Sequence, residues 1–469
     1  MKNQFSVPGS QFSASVRLLL SLVLTMLLIT AVAAQDKPIA IKGGKLLTIT
    51  HGVIENGVVV MRGGKILAVG AAGSVNIPGD AQVIDATGMT VYPGLIDSET
   101  NLGLTEISSE NMTNDLAEPS DEIMPHMHTA EAFHAESALI PVARVNGITN
   151  AIVAPDGTDT LPGQDCFIQL AGANATEMLL IRDNVMALNF TGDQRRNKGG
   201  FDKQKFPSTR MGLAAQLRQA FMDAQDYKTK WDDYERKKLD AVQNKDTQGK
   251  EVRGTEAKSK DSGHNEKKFD SLAPKRDLKL EALIPYLEGK KTIVLAAESP
   301  SDIQTAVSLA NEFKLKFVLN HISHSQAVLD YVASLNVPVI VGPIYDAPKE
   351  DERYDTIYRL PGELYKRGVK IVFASYSAHN VRNLPDAAGF ATAFGLPYEE
   401  ALKAITINPA EIWGVADQLG SLDVGKTANV VMANGDPLDV KTDVKQVFIQ
   451  GRAIPMTNRQ TQLRDEFSK

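Results

Sequence analysis

Two features of the sequence predict a (β/α)8 barrel joined to a small β-sandwich built from both chain ends. β-like runs punctuated by glycines fill the region before residue 92 and return after residue 417, with none of that style between them. In the middle, strand-like and helix-like segments alternate over roughly 300 residues, which favours a parallel α/β domain of barrel size. A length of 469 residues accommodates a large barrel with a smaller companion.

The chain opens with an address. Lys2 and Arg17 supply positive charge, residues 18–29 are apolar apart from Ser21 and Thr25, and small residues 31–34 precede polar Gln35 and Asp36. This is the layout of a secretory signal peptide over 1–34, with an apolar core short of the ~20 residues that a bilayer span needs. The expected location is secreted or periplasmic. Cys166 is the single cysteine. It excludes an intramolecular disulfide and a multi-thiolate zinc site, and reads as a small buried hydrophobe. The net charge of −7 gives no electrostatic reason to expect nucleic-acid binding.

Residues 35–92 form the first part of the sandwich. The glycine pairs Gly43-Gly44 and Gly63-Gly64 lie between apolar runs and read as hairpin turns. Residues 81–85 and 90–92 add two strands. The barrel occupies 93–416, with strands at 149–154, 291–297, 317–319, 338–341 and 369–374. Ser301, Asp302, Ile303 and Gln304 have the form of a capping box, followed by a helical face of Ile303, Ala306, Val307 and Ala310. Ser325 precedes a helix bearing Val328, Leu329 and Val332. Residues 211–242 read as a long helix with Leu213, Ala214, Leu217, Ala220, Phe221 and Ala224 on one face. It leads into a charged stretch, 244–269, expected as the mobile, solvated tip of an excursion over about 200–280. Residues 417–469 complete the sandwich with strands at 428–433 and 444–449.

Several runs resemble the amidohydrolase superfamily in its imidazolonepropionase-like branch. Ile84-Asp85-Ala86-Thr87-Gly88 before Pro93-Gly94-Leu95-Ile96-Asp97 resembles the family's entry into its barrel. Asn408-Pro409-Ala410-Glu411-Ile412-Trp413-Gly414 resembles its last barrel helix. The run 419–429 and Asn434-Gly435-Asp436-Pro437-Leu438 resemble its return to the sandwich. These runs bracket nearly the whole chain after residue 34 in the right order. The resemblance implies metal-assisted hydrolysis, in which a divalent cation activates water and polarises a carbonyl.

The ligand set implied by that resemblance is largely replaced. Glu99 and Asn101 stand where a His-x-His pair would be, Ala187 near a lysine, and Ala296 and Glu298 at fifth-strand positions. His321 is kept on the sixth, and Tyr376 stands near the place of an aspartate on the eighth. The candidate catalytic and metal-binding residues are therefore Glu99, Glu298 and His321, holding either one divalent cation, zinc or manganese, or none. Asn101, Arg210, His324, Tyr376 and His379 are candidate substrate-binding residues, with Arg210 suited to a substrate carboxylate or to an inter-loop salt bridge. Arg382 and Asn383 are placed at the barrel mouth. His126 and His128 have ligand-like spacing but read as surface residues.

Two functions stay open. One is an exported hydrolase of non-peptide or small-peptide C–N bonds with an atypical metal site. The other is a catalytically degenerate, metal-free relative that binds a ligand or serves as partner subunit of an active homologue. The expected ligand is a small molecule or small peptide; a homo-oligomer is the other expected assembly.

Overall fold

The computed structural model describes residues 37–468 except 119, 157–158, 191–206, 208, 252–272, 324 and 346–352. The signal-peptide segment lies outside the described residues, as do His324 and most of the charged stretch. Among the described residues, no helix is long and apolar enough to cross a membrane.

The first sheet begins with β1 (Ile39–Leu47), β2 (Val53–Arg62), β3 (Lys65–Ala71), β4 (Gln82–Asp85) and β5 (Thr90–Pro93). Gly63-Gly64 makes the expected hairpin between β2 and β3, with Arg62 opposite Lys65. Gly43-Gly44 does not form a hairpin. β1 runs straight through it, with register shifts on either side of Gly44 and Gly43 at φ +89°. The shift has a purpose in the sheet. Residues Ile39 to Lys42 pair with β4, whereas Lys45 and Leu46 pair with β5. A bulge of this kind re-aims a strand between two neighbours, and glycine accepts the positive φ it needs.

The barrel strands follow: β6 (Leu95–Thr100), β7 (Ile148–Val153), β8 (Gln164–Gln169), β9 (Leu179–Asn189), β10 (Thr292–Ala296), β11 (Lys316–Asn320), β12 (Val339–Val341) and β13 (Ile371–Phe373). They form one eight-stranded sheet in the order β13-β12-β11-β10-β9-β8-β7-β6. Two ladders depart from the expected parallel pattern, since β8 runs antiparallel to both β7 and β9. The segment from β7 to β8 is too short for a helical crossover, which takes a dozen or more residues, so the chain turns back on itself. The ends of the sheet meet through the Tyr376 N–H, which donates to the Glu99 carbonyl at 2.9 Å. Nearby, the Ile96 N–H donates to Ile405 O at 2.9 Å and the Phe373 N–H to Ala404 O at 3.2 Å, which fills the seam.

The chain then returns to the first sheet as β14 (Val430–Ala433), β15 (Val444–Ile449) and β16 (Arg452–Ala453). Both chain ends thus share one eight-stranded sheet, with β5 and β14 side by side. Its far hairpin folds back onto the C-terminal part: the Ile66 N–H donates to Lys426 O at 2.9 Å and the Ala428 N–H to Gly64 O at 2.8 Å. A continuous sheet closed in this way encloses the core of Ile41, Leu46, Val59, Met61, Val91 and Phe448.

The two units are joined at Gly94, between β5 and β6. Its N–H donates to Asn429 O at 2.9 Å, and Asn429 Nδ2 donates to Asn150 Oδ1 at 2.9 Å. A Cβ at residue 94 would sit 2.1 Å from Thr149 Oγ1. Gly94→Ala is therefore expected to cost on the order of 1–3 kcal/mol through overpacking. A urea unfolding curve measures it; an unchanged midpoint would show that the junction is loosely packed.

On the outside of the barrel, α1 (Arg210–Glu251) extends beyond the residue 242 expected as its end. It buries Leu213, Leu217, Phe221, Ala224 and Tyr227 at helical spacing against α2 (Leu278–Leu287) and α3 (Pro300–Glu312). The cap of α3 lies two residues earlier than expected. Ser299 accepts from the Asp302 N–H and Pro300 opens the helix, a position where proline's missing N–H is not needed.

Candidate functional site

The barrel interior is apolar at its base. Ile96, Ile152, Phe167, Val185, Val294, Val318, Ile340 and Val372 point inward around Trp413. Alternation along the strands then sets the layer above. Asp165 shares the inward face of β8 with Phe167, and Asn320 that of β11 with Val318. On β9 and β10 the corresponding wall is Ala187 and Ala296, which leaves side-chain chemistry to the opposite side.

There a chain of hydrogen bonds crosses the barrel. The Tyr376 hydroxyl donates to Asn320 Oδ1, and Asn320 Nδ2 donates to Glu99 Oε2 at 2.7 Å. The Tyr376 ring lies 4.7 Å from that of His321 between centroids. Both residues have left-handed backbones, at φ 52° for Tyr376 and 58° for His321. Such strain in non-glycine residues clusters at functional sites. Below Glu99, Asp97 Oδ1 accepts from the Ser375 N–H at 3.0 Å and the Glu99 N–H at 3.3 Å. Asp97 Oδ2 and Asp165 Oδ1 are buried without a hydrogen-bond partner among the described residues.

The electrostatics follow from this burial. Removal from water raises Asp97 to about 7. Glu99 is pushed up to about 8 by burial first and by the Asp97 charge second, with the Asn320 hydrogen bond opposing both. Asp165 is raised well above the carboxylate range by burial and then by Glu99. Burial also drives His321 toward the neutral imidazole, to about 4. The His321 ring keeps open surface, however. That access to water argues for a smaller displacement in the same direction, as for a ring on the wall of a concave mouth.

Other candidate residues sit elsewhere. The Asn101 amide is fastened to Ala154 O at 3.0 Å. The Arg210 guanidinium, at the start of α1, is clasped by the buried Asp302 carboxylate and reaches Ser299 Oγ at 3.4 Å. Glu298 lies on the turn after β10, where its carbonyl accepts from the Ser323 N–H at 3.0 Å. His379 is exposed, and its N–H donates to Ser377 Oγ at 3.3 Å. The Arg382 carbonyl accepts from Asn146 Nδ2 at 3.2 Å. Cys166 is fully buried, its thiol pushed up to about 12 by that burial. His128 pairs with Asp183 at 2.6 Å on a different part of the barrel.

Residues 289–454 match the sequence profile of the Amidohydrolase family. The chain carries an amidohydrolase family domain. The crystal structure of an amidohydrolase from Thermotoga maritima MSB8 superposes with a TM-score of 0.74 at 26% identity, covering 90% of this chain and 100% of that one. A prolidase solved with N-methylphosphonate-L-proline shares the fold at a TM-score of 0.53 and 16% identity, over 89% of this chain and 99% of its own. Amidohydrolase tasK of Hapsidospora irregularis is 24% identical over 393 residues, 80% of this chain. The match spans only 37% of that relative's length.

The amidohydrolase family usually binds a divalent metal. The side chains of the described residues do not form a set that fits one. Among the described residues, no group of three or more His, Cys, Asp or Glu side chains has the geometry to hold a metal ion. Glu99, Glu298 and His321 are therefore not brought together as a ligand set. Glu99 is engaged by Asn320, Asn101 by the backbone, and two wall positions are alanine. Sequence reasoning passed over Asp97, Asp165 and Asn320. Asp97 and Asp165 carried a usable signal, because each is an acid inside an otherwise buried strand.

Proposed function

We propose that this chain is a ligand-binding member of the amidohydrolase superfamily that works outside the cytoplasm beside an active homologue. The observation that supports it is the replacement of a ligand cluster by a hydrogen-bonded Tyr376–Asn320–Glu99 chain over buried acids. The length of the tasK relative supports the pairing. Since 393 aligned residues make up 37% of it, the remainder has room for a further domain of the same size. The N-terminal segment supports export. Hydrolysis of small C–N bonds by this chain alone is the second reading, favoured by Glu99, whose raised pKa suits a proton donor near neutral pH.

Co-purification from the native source, followed by an amide and dipeptide hydrolysis panel, separates the two. The proposal expects a complex with a homologue bearing the full histidine set, and no turnover by this chain alone. A solitary chain that hydrolyses members of the panel would overturn it and support the second reading.

A further inference from the structure

Asp97, Glu99 and Asp165 are coupled acids at one end of the barrel, and among the described residues no cation acts on them. The charged neighbours acting on Glu99 and Asp165 are themselves acids, Asp97 on the first and Glu99 on the second. The polar side chain that binds Glu99 is neutral: Asn320 Nδ2 donates to Oε2, and among the described residues none donates to Oε1. Asp165 is 2% exposed, shares the inward face of β8 with Phe167, and its Oδ1 has no partner among the described residues. A buried acceptor oxygen left without a donor costs free energy, so native structures retain one where something else supplies the donor. A charge-neutral hydroxyl or amide would satisfy one oxygen. A cationic N–H donor would satisfy an oxygen and also favour the ionised form of an acid that burial otherwise keeps protonated. The Tyr376 ring, beside His321, gives such a cation an aromatic neighbour as well.

We propose that the mouth recognises a ligand bearing a primary or secondary ammonium group, received by Glu99 Oε1 with Asp165 behind it. This rests on the ligand-binding reading above and names its ligand class.

The test uses the full chain in EDTA and calorimetric titration with amino-acid amides, which carry a free amine, and their N-acetyl counterparts, which do not. Glycinamide, alaninamide and leucinamide are the probes. The expected result is at least about tenfold tighter binding of the free amines, the scale of one charge-assisted hydrogen bond. Glu99→Gln and Asp165→Asn should abolish that preference. Both substitutions are close in size to the acids they replace and remove a buried titratable group, so both variants should stay folded, with a thermal midpoint equal to or above the parent's. Lost preference in a fully folded variant then reports recognition rather than misfolding. Equal affinity for amine and N-acetyl probes, absence of binding by every probe, or a preference that survives both substitutions would overturn the proposal. Amide turnover by the chain alone would instead overturn the proposed function while leaving the amine preference measurable.

Discussion

The urea midpoint of this protein should fall as pH rises from 6.5 to 8. Asp97 and Glu99 are held at about 7 and about 8 in the folded chain, against ordinary values of 3.8 and 4.5 for the unfolded one. Below pH 4 both states bind the protons and the pair contributes nothing. Above it the unfolded chain releases protons that the folded chain keeps, so stability declines until the folded values are passed. Asp165 acts with the same sign. Two groups oppose them. His126 and His321 are pushed below the ordinary histidine value, so they add stability as pH rises toward 6.5. Carboxylates held low by cation or hydroxyl partners, such as Glu281 and Asp85, have finished their contribution by about pH 5. The decline is therefore clearest above 6.5, with a slope of up to about 1.4 kcal/mol per pH unit for each carboxyl still protonated. Glu99→Gln should flatten it. Unfolding curves at pH 6.5 and 8 check this, and a midpoint that holds steady or rises would mean that the acids are already compensated.

Trp413→Ala should be the most damaging apolar truncation near the site. The indole is 4% exposed and packs among the inward side chains at the base of the barrel. Its Nε1 donates to Ser98 Oγ at 3.4 Å, on the strand that carries Asp97 and Glu99. Phe or Trp to Ala changes in cores cost ~3–5 kcal/mol, the upper part applying where rigid strands cannot collapse into the space. A nearly closed ring of strands is such a case. The loss should appear as a lower thermal midpoint with reduced amine binding, because β6 loses its support. A change below about 1 kcal/mol would show that the barrel base repacks freely.

The large-scale architecture was legible because it depends on repeated patterns. Alternating apolar runs and helical faces recur across the barrel, and the runs near residues 93–97 and 408–438 resemble a known family. The details that escaped notice each depend on a local choice that pattern does not encode. Gly43-Gly44 is compatible with a hairpin or a bulge; the selection comes from β4 and β5, which compete for the same edge of β1. Residues Gln164 to Gln169 are fully buried like the parallel strands but half polar in sequence, and the shortness of the preceding connection makes β8 antiparallel. At the site, Glu99, His321 and Tyr376 were reached through family positions, and the structure puts Glu99 and Tyr376 into one network. Asn320 was hidden by its neighbour His321, although it is the residue that joins the other two. Arg210 shows the opposite error of emphasis: its charge suits a carboxylate, and the carboxylate it finds is Asp302.

Metal quantification on the purified full-length chain, as isolated and after exposure to zinc or manganese, tests most directly whether the mouth has exchanged a catalytic ion for a network of uncharged donors and buried acids. The account predicts far less than one tightly held ion per chain, with no change on Glu99→Gln. A stoichiometric ion that is lost on Glu99→Gln or His321→Ala would contradict it.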